Sequence, residues 1–226
     1  MTSIFKVPLF SAETAGQGLD LPGVLRAVID SQRYVLGTQV LAFEAAFAAY
    51  VGVRHAIGVA NGTDALEIAL RSLGVKPGEG VVTVANAGFY GSTAIRAIGA
   101  QPLYVDVDEY TLNLSPSALA QVLSTKPVKA VIATHLYGQL ADMAAITDLC
   151  RAAGVALIED CAQAHGARRA GRLAGAWGDV ACFSFYPTKN LGALGDGGAV
   201  VTDNAELANR VRALRQYGWG NKYEVV

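Results

Sequence analysis

The chain has 226 residues, 52% hydrophobic and 16% charged, with 18 basic and 19 acidic side chains and a formal net charge of −1. That is too apolar and too sparsely charged for a disordered chain, and long enough to bury a sizeable core. The near-balanced charge argues against a nucleic-acid stripe or a polybasic membrane surface, so neither partner is expected.

The first residues, MTSIFKVPLFSAETAG, lack the basic region and apolar run of a secretory signal. No apolar run reaches the roughly 18 residues of a membrane span. Residues 1–35 read as an N-terminal segment, and residues 36–226 as one α/β domain. A helix over Gln39–Tyr50 precedes the strand Ala56–Ala60. Helical patterns at Ala65–Leu73, Phe89–Ile98, Ser115–Leu123 and Met143–Ala153 then alternate with β-branched runs at Val81–Val84, Pro102–Val107, Ala130–Thr134 and Ala156–Glu159. Ser115-Pro116 reads as an N-cap followed by proline in the first turn. Strand–helix alternation with apolar strands predicts a mostly parallel sheet covered by helices on both faces. Between the last two strands, Ala181–Phe185 and Ala199–Thr202, lies only YPTKNLGALGDGG. A parallel return needs a crossover, so this pair is expected to be antiparallel. A final helix is expected over Ala205–Tyr217. Cys150, Cys161 and Cys182 make no CxxC pair and no zinc spacing; they read as core residues of a reducing cytoplasm, with no metal site.

In such sheets ligands lie at the carboxyl ends of the strands, and four polar features fall there. Asn61-Gly62-Thr63-Asp64 opens a helix, and Gly62 and Thr63 offer N–H groups, a hydroxyl and the positive dipole end to a phosphate; plain capping explains the same residues. Glu159-Asp160 ends a buried strand, with Gln163 in reach of the same place; a cap or an ion pair is the alternative. Lys189 follows a buried strand in a glycine-rich loop, where burial makes a lysine nucleophilic toward carbonyls, or it is a solvated loop lysine. Ser184, five residues earlier, can reach the same ligand or bond to the backbone. Phe89-Tyr90 can stack on a flat ring or serve as packing. Taken together, a phosphate-binding helix start, a stacking aromatic, a strand-end Asp and a buried Lys fit pyridoxal phosphate.

The stretches VLGTQVLAFEAAFAAYVGVRHAIGVANGTDALEIAL, GAQPLYVDVDEYTLNL, THLYGQLADM, IEDCAQAHGA and FSFYPTKNLGALGDGGAVVT resemble the DegT/DnrJ/EryC1/StrS sugar aminotransferases. The resemblance implies the large domain of a fold type I PLP-dependent transferase. It matches Lys189 to the internal-aldimine lysine, Asp160 to the carboxylate on the pyridine nitrogen, and Gln163 to the residue near the phenolic oxygen. Gly62, Thr63 and Ser184 match phosphate ligands, and Phe89 the stacking aromatic. The chain departs from the family pattern at Ala85, usually Pro, and at Gly88, usually Thr, so Tyr90 can share the stacking role. Lysine at position 189, where some members carry His and dehydrate the sugar, favours transamination.

The implied activity is transfer of an amino group from an amino acid, usually glutamate, to a nucleotide-linked keto-deoxysugar, with pyridoxamine phosphate as the intermediate form, in a cytoplasmic homodimer. His165 and Tyr186 are candidates for the nucleotide, His135 reads as structural, and His55 has no role. The YGWGNKY stretch looks like that of members acting on deoxysugar nucleotides. Family members continue past this region into a G-x-N-S-R-L-D segment and a smaller C-terminal domain, which the resemblance places beyond Val226. The alternative is therefore a catalytically silent PLP-binding or dimerisation fragment. A lyase or amino-acid aminotransferase of the same fold type is disfavoured by IEDCAQAHGA and GDGGAVVT.

Overall fold

The structure, a computed structural model, describes residues 10–221 and 224–225. Residues 1–9 of the stretch MTSIFKVPLFSAETAG, and Lys222-Tyr223 of YGWGNKY, lie outside the described residues. By internal contacts the chain divides into two units, Met1–Phe43 and Glu44–Val226.

The first unit contains α1 (Ala12–Gly16), α2 (Leu21–Ser31) and the start of α3 (Thr38–Val51). Asp20 caps α2 by accepting the Gly23 N–H at 3.0 Å, with Pro22 in the first turn where its missing donor is harmless.

The second unit alternates as the sequence predicts. Its elements are β1 (His55–Val59), α4 (Gly62–Ser72), β2 (Gly80–Val84), α5 (Tyr90–Ala97), β3 (Gln101–Val105), α6 (Pro116–Thr125) and β4 (Ala130–Thr134). They continue with α7 (Met143–Ala153), β5 (Ala156–Asp160), a hairpin of β6 (Arg168–Arg169) and β7 (Arg172–Leu173), β8 (Val180–Ser184), β9 (Gly198–Thr202) and α8 (Ala205–Arg215). A second short ribbon, β10 (Trp219–Asn221) and β11 (Glu224–Val225), follows. The main sheet runs β1-β9-β8-β5-β4-β2-β3. β9 pairs antiparallel with both β1 and β8, while the other pairs are parallel. The missing crossover between β8 and β9 has the consequence expected of it.

β4, β8 and β9 are buried along their whole length, which is why they read as continuous apolar runs rather than alternating ones. Residues of α4, α5 and α8 pack with strand residues such as Ile57, Ile132 and Val200 into one core cluster. Leu119, Met143, Ile146 and Cys150 of α6 and α7 join Val82, Val131 and Leu157 in another. Phe47 sets its ring edge-on to Phe183 and Phe185, with centroids 4.9 and 5.2 Å apart. The three cysteines are free and buried, and burial pushes the Cys150 thiol up to about 12. Among the described residues no helix is long and apolar enough to cross a membrane.

β1 is an edge strand, whose outer N–H and C=O groups would otherwise remain open to pairing. Glu44 accepts the Gly58 N–H at 2.8 Å, and Arg215 donates to the Gly58 carbonyl at 3.1 Å. The two side chains close on each other at 2.5 Å, both largely buried. Glu44→Ala strands the arginine charge and the Gly58 donor together. It is expected to destabilise the fold by about 3 kcal/mol in urea unfolding, with Glu44→Ala/Arg215→Leu recovering part of the loss; a single-variant loss under about 1 kcal/mol would mean that the edge is held otherwise.

Candidate active site

α4 starts with a built anion seat. Asn61 is extended, and its side chain accepts the Asp64 N–H at 2.9 Å. This takes one orphan donor of the first turn and leaves those of Gly62 and Thr63, which have no intrahelical acceptor. Gly62 must be glycine because a Cβ there would lie 2.7 Å from the Ser184 Cβ. The helix start thus presses on the last residue of β8, and Thr63 and the Ser184 hydroxyl share one cavity.

β5 ends on two carboxylates that alternation sends to opposite faces. Glu159 is fully buried and receives the N–H groups of Gly175, Trp177 and Gly178 at 3.0, 2.7 and 2.8 Å. His135 completes it. Its Nδ1 accepts the Ala141 N–H at 3.2 Å, so the ring proton sits on Nε2 and is donated to Glu159 at 2.9 Å. Burial works to raise the Glu159 carboxyl, but the hydrogen bond from His135 and the Gly175 and Gly178 donors hold it below the usual range. His135 is thus the satisfied structural histidine that the sequence suggested.

Asp160 lies on the other face. It accepts the Ala162 N–H at 3.1 Å and a long contact of 3.4 Å from Thr134, its neighbour across the β4–β5 register. These do not replace its lost hydration. Burial pushes its carboxyl above the ordinary value, although the Ala162 donor, the Lys189 charge and the Thr134 contact oppose the shift.

Lys189 is half-buried in the loop after β8, its backbone N–H closing a turn on the Tyr186 carbonyl at 2.8 Å. The loop folds back so tightly that a Cβ on Gly192 would lie 2.4 Å from the Pro187 carbonyl oxygen. A cavity of about 570 Å³ brings together Gly62, Thr63, Asp160, Ser184 and Lys189, with Asn61, Asp64, Tyr90, Tyr186, Thr188 and Asp196 also on its walls. Lys189 is the one cation among these, against the carboxylates of Asp64, Asp160 and Asp196. An anion here must therefore rest on backbone N–H groups, hydroxyls and the helix dipole. A hollow of about 550 Å³ at the opposite ends of β5 and β8 contains none of the candidate side chains.

Two candidates stand outside this lining. Phe89 is left-handed (φ 65°) and 67% exposed, and the cavity wall takes the adjacent Tyr90 instead. Gln163 is exposed, and its Oε1 accepts the Tyr137 N–H at 2.9 Å. Of the nucleotide candidates, Tyr186 is on the cavity wall. His165 lies beside Phe183 and Phe185, ring centroids 5.3 and 5.6 Å away, where burial pushes its imidazole down to about 4. Neither ring nitrogen makes a well-formed hydrogen bond, so it packs as a neutral ring. Sequence reasoning passed over Asp196 and Thr188, which lie in irregular loop without periodicity.

The model of the DegT/DnrJ/EryC1/StrS aminotransferase family matches residues 20–225. The dTDP-3-amino-3,4,6-trideoxy-alpha-D-glucose transaminase of Micromonospora megalomicea subsp. nigra is 47% identical, over 91% of this chain and 55% of that protein. The crystal structure of Streptomyces venezuelae DesV in complex with a ketimine intermediate matches with a TM-score of 0.93 at 45% identity, over 96% of this chain and 59% of that one. NtdA from Bacillus subtilis with bound cofactor PMP matches with a TM-score of 0.89 at 29% identity, over 99% and 52%. The chain belongs to the DegT/DnrJ/EryC1/StrS aminotransferase family, and it spans a little over half the length of these relatives.

Because Asp160 is raised on folding, the stability linked to it is present at low pH and lost as pH rises from its unfolded toward its folded value. Without a ligand, Asp160→Asn is thus expected to stabilise the chain near neutral pH by on the order of 1 kcal/mol, or about 2–4 °C in Tm, and to have no such effect near pH 3. Calorimetry at the two pH values checks the sign; an equal effect at both would show that charge is not the cause.

Proposed function

We propose that this chain carries the cofactor-binding part of a pyridoxal 5′-phosphate-dependent aminotransferase, which moves an amino group from an amino acid, probed first as glutamate, to a nucleotide-linked keto-deoxysugar. One observation carries the reading: Lys189, Asp160 and the start of α4 line a single cavity. The residues fit the cofactor. Gly62, Thr63 and Ser184 form a cradle for a phosphate that a side chain at position 62 would fill. Asp160 is a buried carboxylate short of a cation, the complement of a protonated ring nitrogen. Tyr90 is at hand to cover a ring face. Bound there, pyridoxal phosphate supplies an aldehyde for amine exchange and a ring that accepts electrons from the adjacent carbon.

The chain's own residues would then divide the work. The N–H groups of Gly62 and Thr63 hold the phosphate, and Asp160 keeps the ring nitrogen charged. The Lys189 amine engages the aldehyde and, once displaced by the incoming amine, moves the proton at the reacting carbon. The transaminase named above supports a nucleotide-linked sugar as acceptor.

A homodimer belongs to the same reading. Phe89, Tyr90, Tyr110, Tyr137, Tyr186 and Leu194 are exposed on the connections that follow β2, β3, β4 and β8, Tyr90 at the start of α5. An apolar rim of this kind is what a partner subunit would cover. The free, buried cysteines support a cytoplasmic setting. A second reading is cofactor binding without turnover, which the transfer assay separates from the first.

Added pyridoxal phosphate should give a visible absorption band, with borohydride fixing the label on Lys189, and Lys189→Ala should lose both. Amine transfer from glutamate to a panel of nucleotide keto-sugars should fall by about 10²–10⁴-fold in the same variant. Uptake of cofactor with no transfer to any acceptor would favour the second reading, and the lack of any band would remove the cofactor assignment.

A further inference from the structure

Gln163 has only part of its amide free. Its Oε1 is occupied by the Tyr137 N–H, so what it can offer is the pair of N–H donors on its amino group. The turn that supplies this N–H, the 3₁₀ segment Leu136–Gly138, is held in an unfavourable shape. Tyr137 (φ 56°) and Gly138 (φ 79°) are both left-handed, which for tyrosine costs roughly 1–2 kcal/mol. Such strain persists only where the surroundings over-determine it.

The over-determining group is Asn113, on the connection between β3 and α6. It is 1% exposed and reaches across to the turn with both ends of its carboxamide. Oδ1 accepts the Leu136 N–H at 3.0 Å, and Nδ2 donates to the Gln139 carbonyl at 3.1 Å. Asn113 is itself anchored. Its carbonyl takes the Asp108 N–H at 2.8 Å, and Asp108 accepts from both the N–H and the hydroxyl of Thr111 at 2.8 and 3.0 Å. Without the carboxamide the turn can relax to right-handed angles, and the Tyr137 N–H swings away from Gln163.

We propose that Asn113 is a positioning residue for the cofactor pocket: by clamping the Leu136–Gln139 turn it makes the Tyr137 N–H fix the Gln163 amide, leaving the amino group as a donor toward the site. This rests on the cofactor reading above and on the match of Gln163 to the residue near the ring's phenolic oxygen; Gln163 follows the wall residue Ala162 and stands just outside the lining. A donor there stabilises negative charge on that oxygen and weakens its hold on the neighbouring proton.

The test uses the full chain loaded with pyridoxal phosphate and follows the pH midpoint of its visible band. Asp64, Asp160, Asp196 and Lys189 are left in place. Gln163→Ala should raise the midpoint by about one pH unit, the size of one hydrogen bond to a charged acceptor. Asn113→Asp, which keeps the shape but loses the donor to Gln139, should raise it similarly, and the double variant should add nothing further. A wild-type midpoint in Asn113→Asp, with Gln163→Ala displaced, overturns the positioning role and leaves the cofactor reading standing. No band in the wild-type chain overturns that reading, and this proposal with it. Should Asn113→Asp fail to fold, Asn113→Ser takes its place and amide exchange decides: the Tyr137 N–H should exchange at least about tenfold faster in that variant than in the wild-type chain, and equal rates overturn the clamp.

Discussion

A carboxylate taken out of water must recover its hydration from charges and hydrogen bonds, or it costs several kcal/mol. β5 ends on two such groups, and the rest of the site depends on how each is treated. Glu159 is repaid in full by three backbone donors and the His135 proton. In return it fixes the 175–178 segment that leads into β8. Asp160, one residue on and facing the other way, receives one backbone donor and a long hydroxyl contact. The same strand end therefore provides a rigid anchor on one face and an unsatisfied charge on the other.

The reversed strand makes the second half of the site. Because β9 returns antiparallel beside β8 with no helix between them, the intervening loop must turn back over the carboxyl end of the sheet. That placement brings Lys189 into the cavity that Asp160 also lines. It also sets the end of β8 against the start of α4, at a distance that only glycine at position 62 allows. The helix terminus, the lysine loop and the Asp160 strand end are three consequences of one sheet order.

Much of this was legible in the residues, for a physical reason. The strands of the main sheet carry short apolar, β-branched runs bounded by turn residues, so all seven were found within about two residues, a normal margin at element ends. The antiparallel β9 was legible through an absence, the lack of any helix-length segment between Phe185 and Ala199. Elements of two or three residues were not legible: the β6–β7 hairpin and the turn at 136–138 have no period to read and are defined by tertiary bonds. Phe89 and Tyr90 are equivalent aromatics in the text, and only the left-handed backbone at Phe89 separates them. His165 looked polar and available, but its neighbours Phe183 and Phe185 lie some twenty residues further along the chain, out of reach of a local reading. Asn113 gave no local sign at all, since both of its partners lie on the far side of α6 and β4 in sequence.

The charges of the cavity constrain what can fill it more narrowly than its shape does. A simple anion would meet Asp64, Asp160 and Asp196 with Lys189 as the sole cation on the wall. A simple cation would meet the positive end of α4 and Lys189. A ligand suits both ends only if it places negative charge at Gly62 and Thr63, positive charge at Asp160, and an electrophile within reach of Lys189. A phosphorylated pyridine aldehyde has those three features in one molecule. The donor that we assign to Gln163 adds a fourth, an oxygen acceptor on the ring. On this reading the unsatisfied Asp160 is not a defect of the fold but half of an ion pair, whose other half arrives with the cofactor.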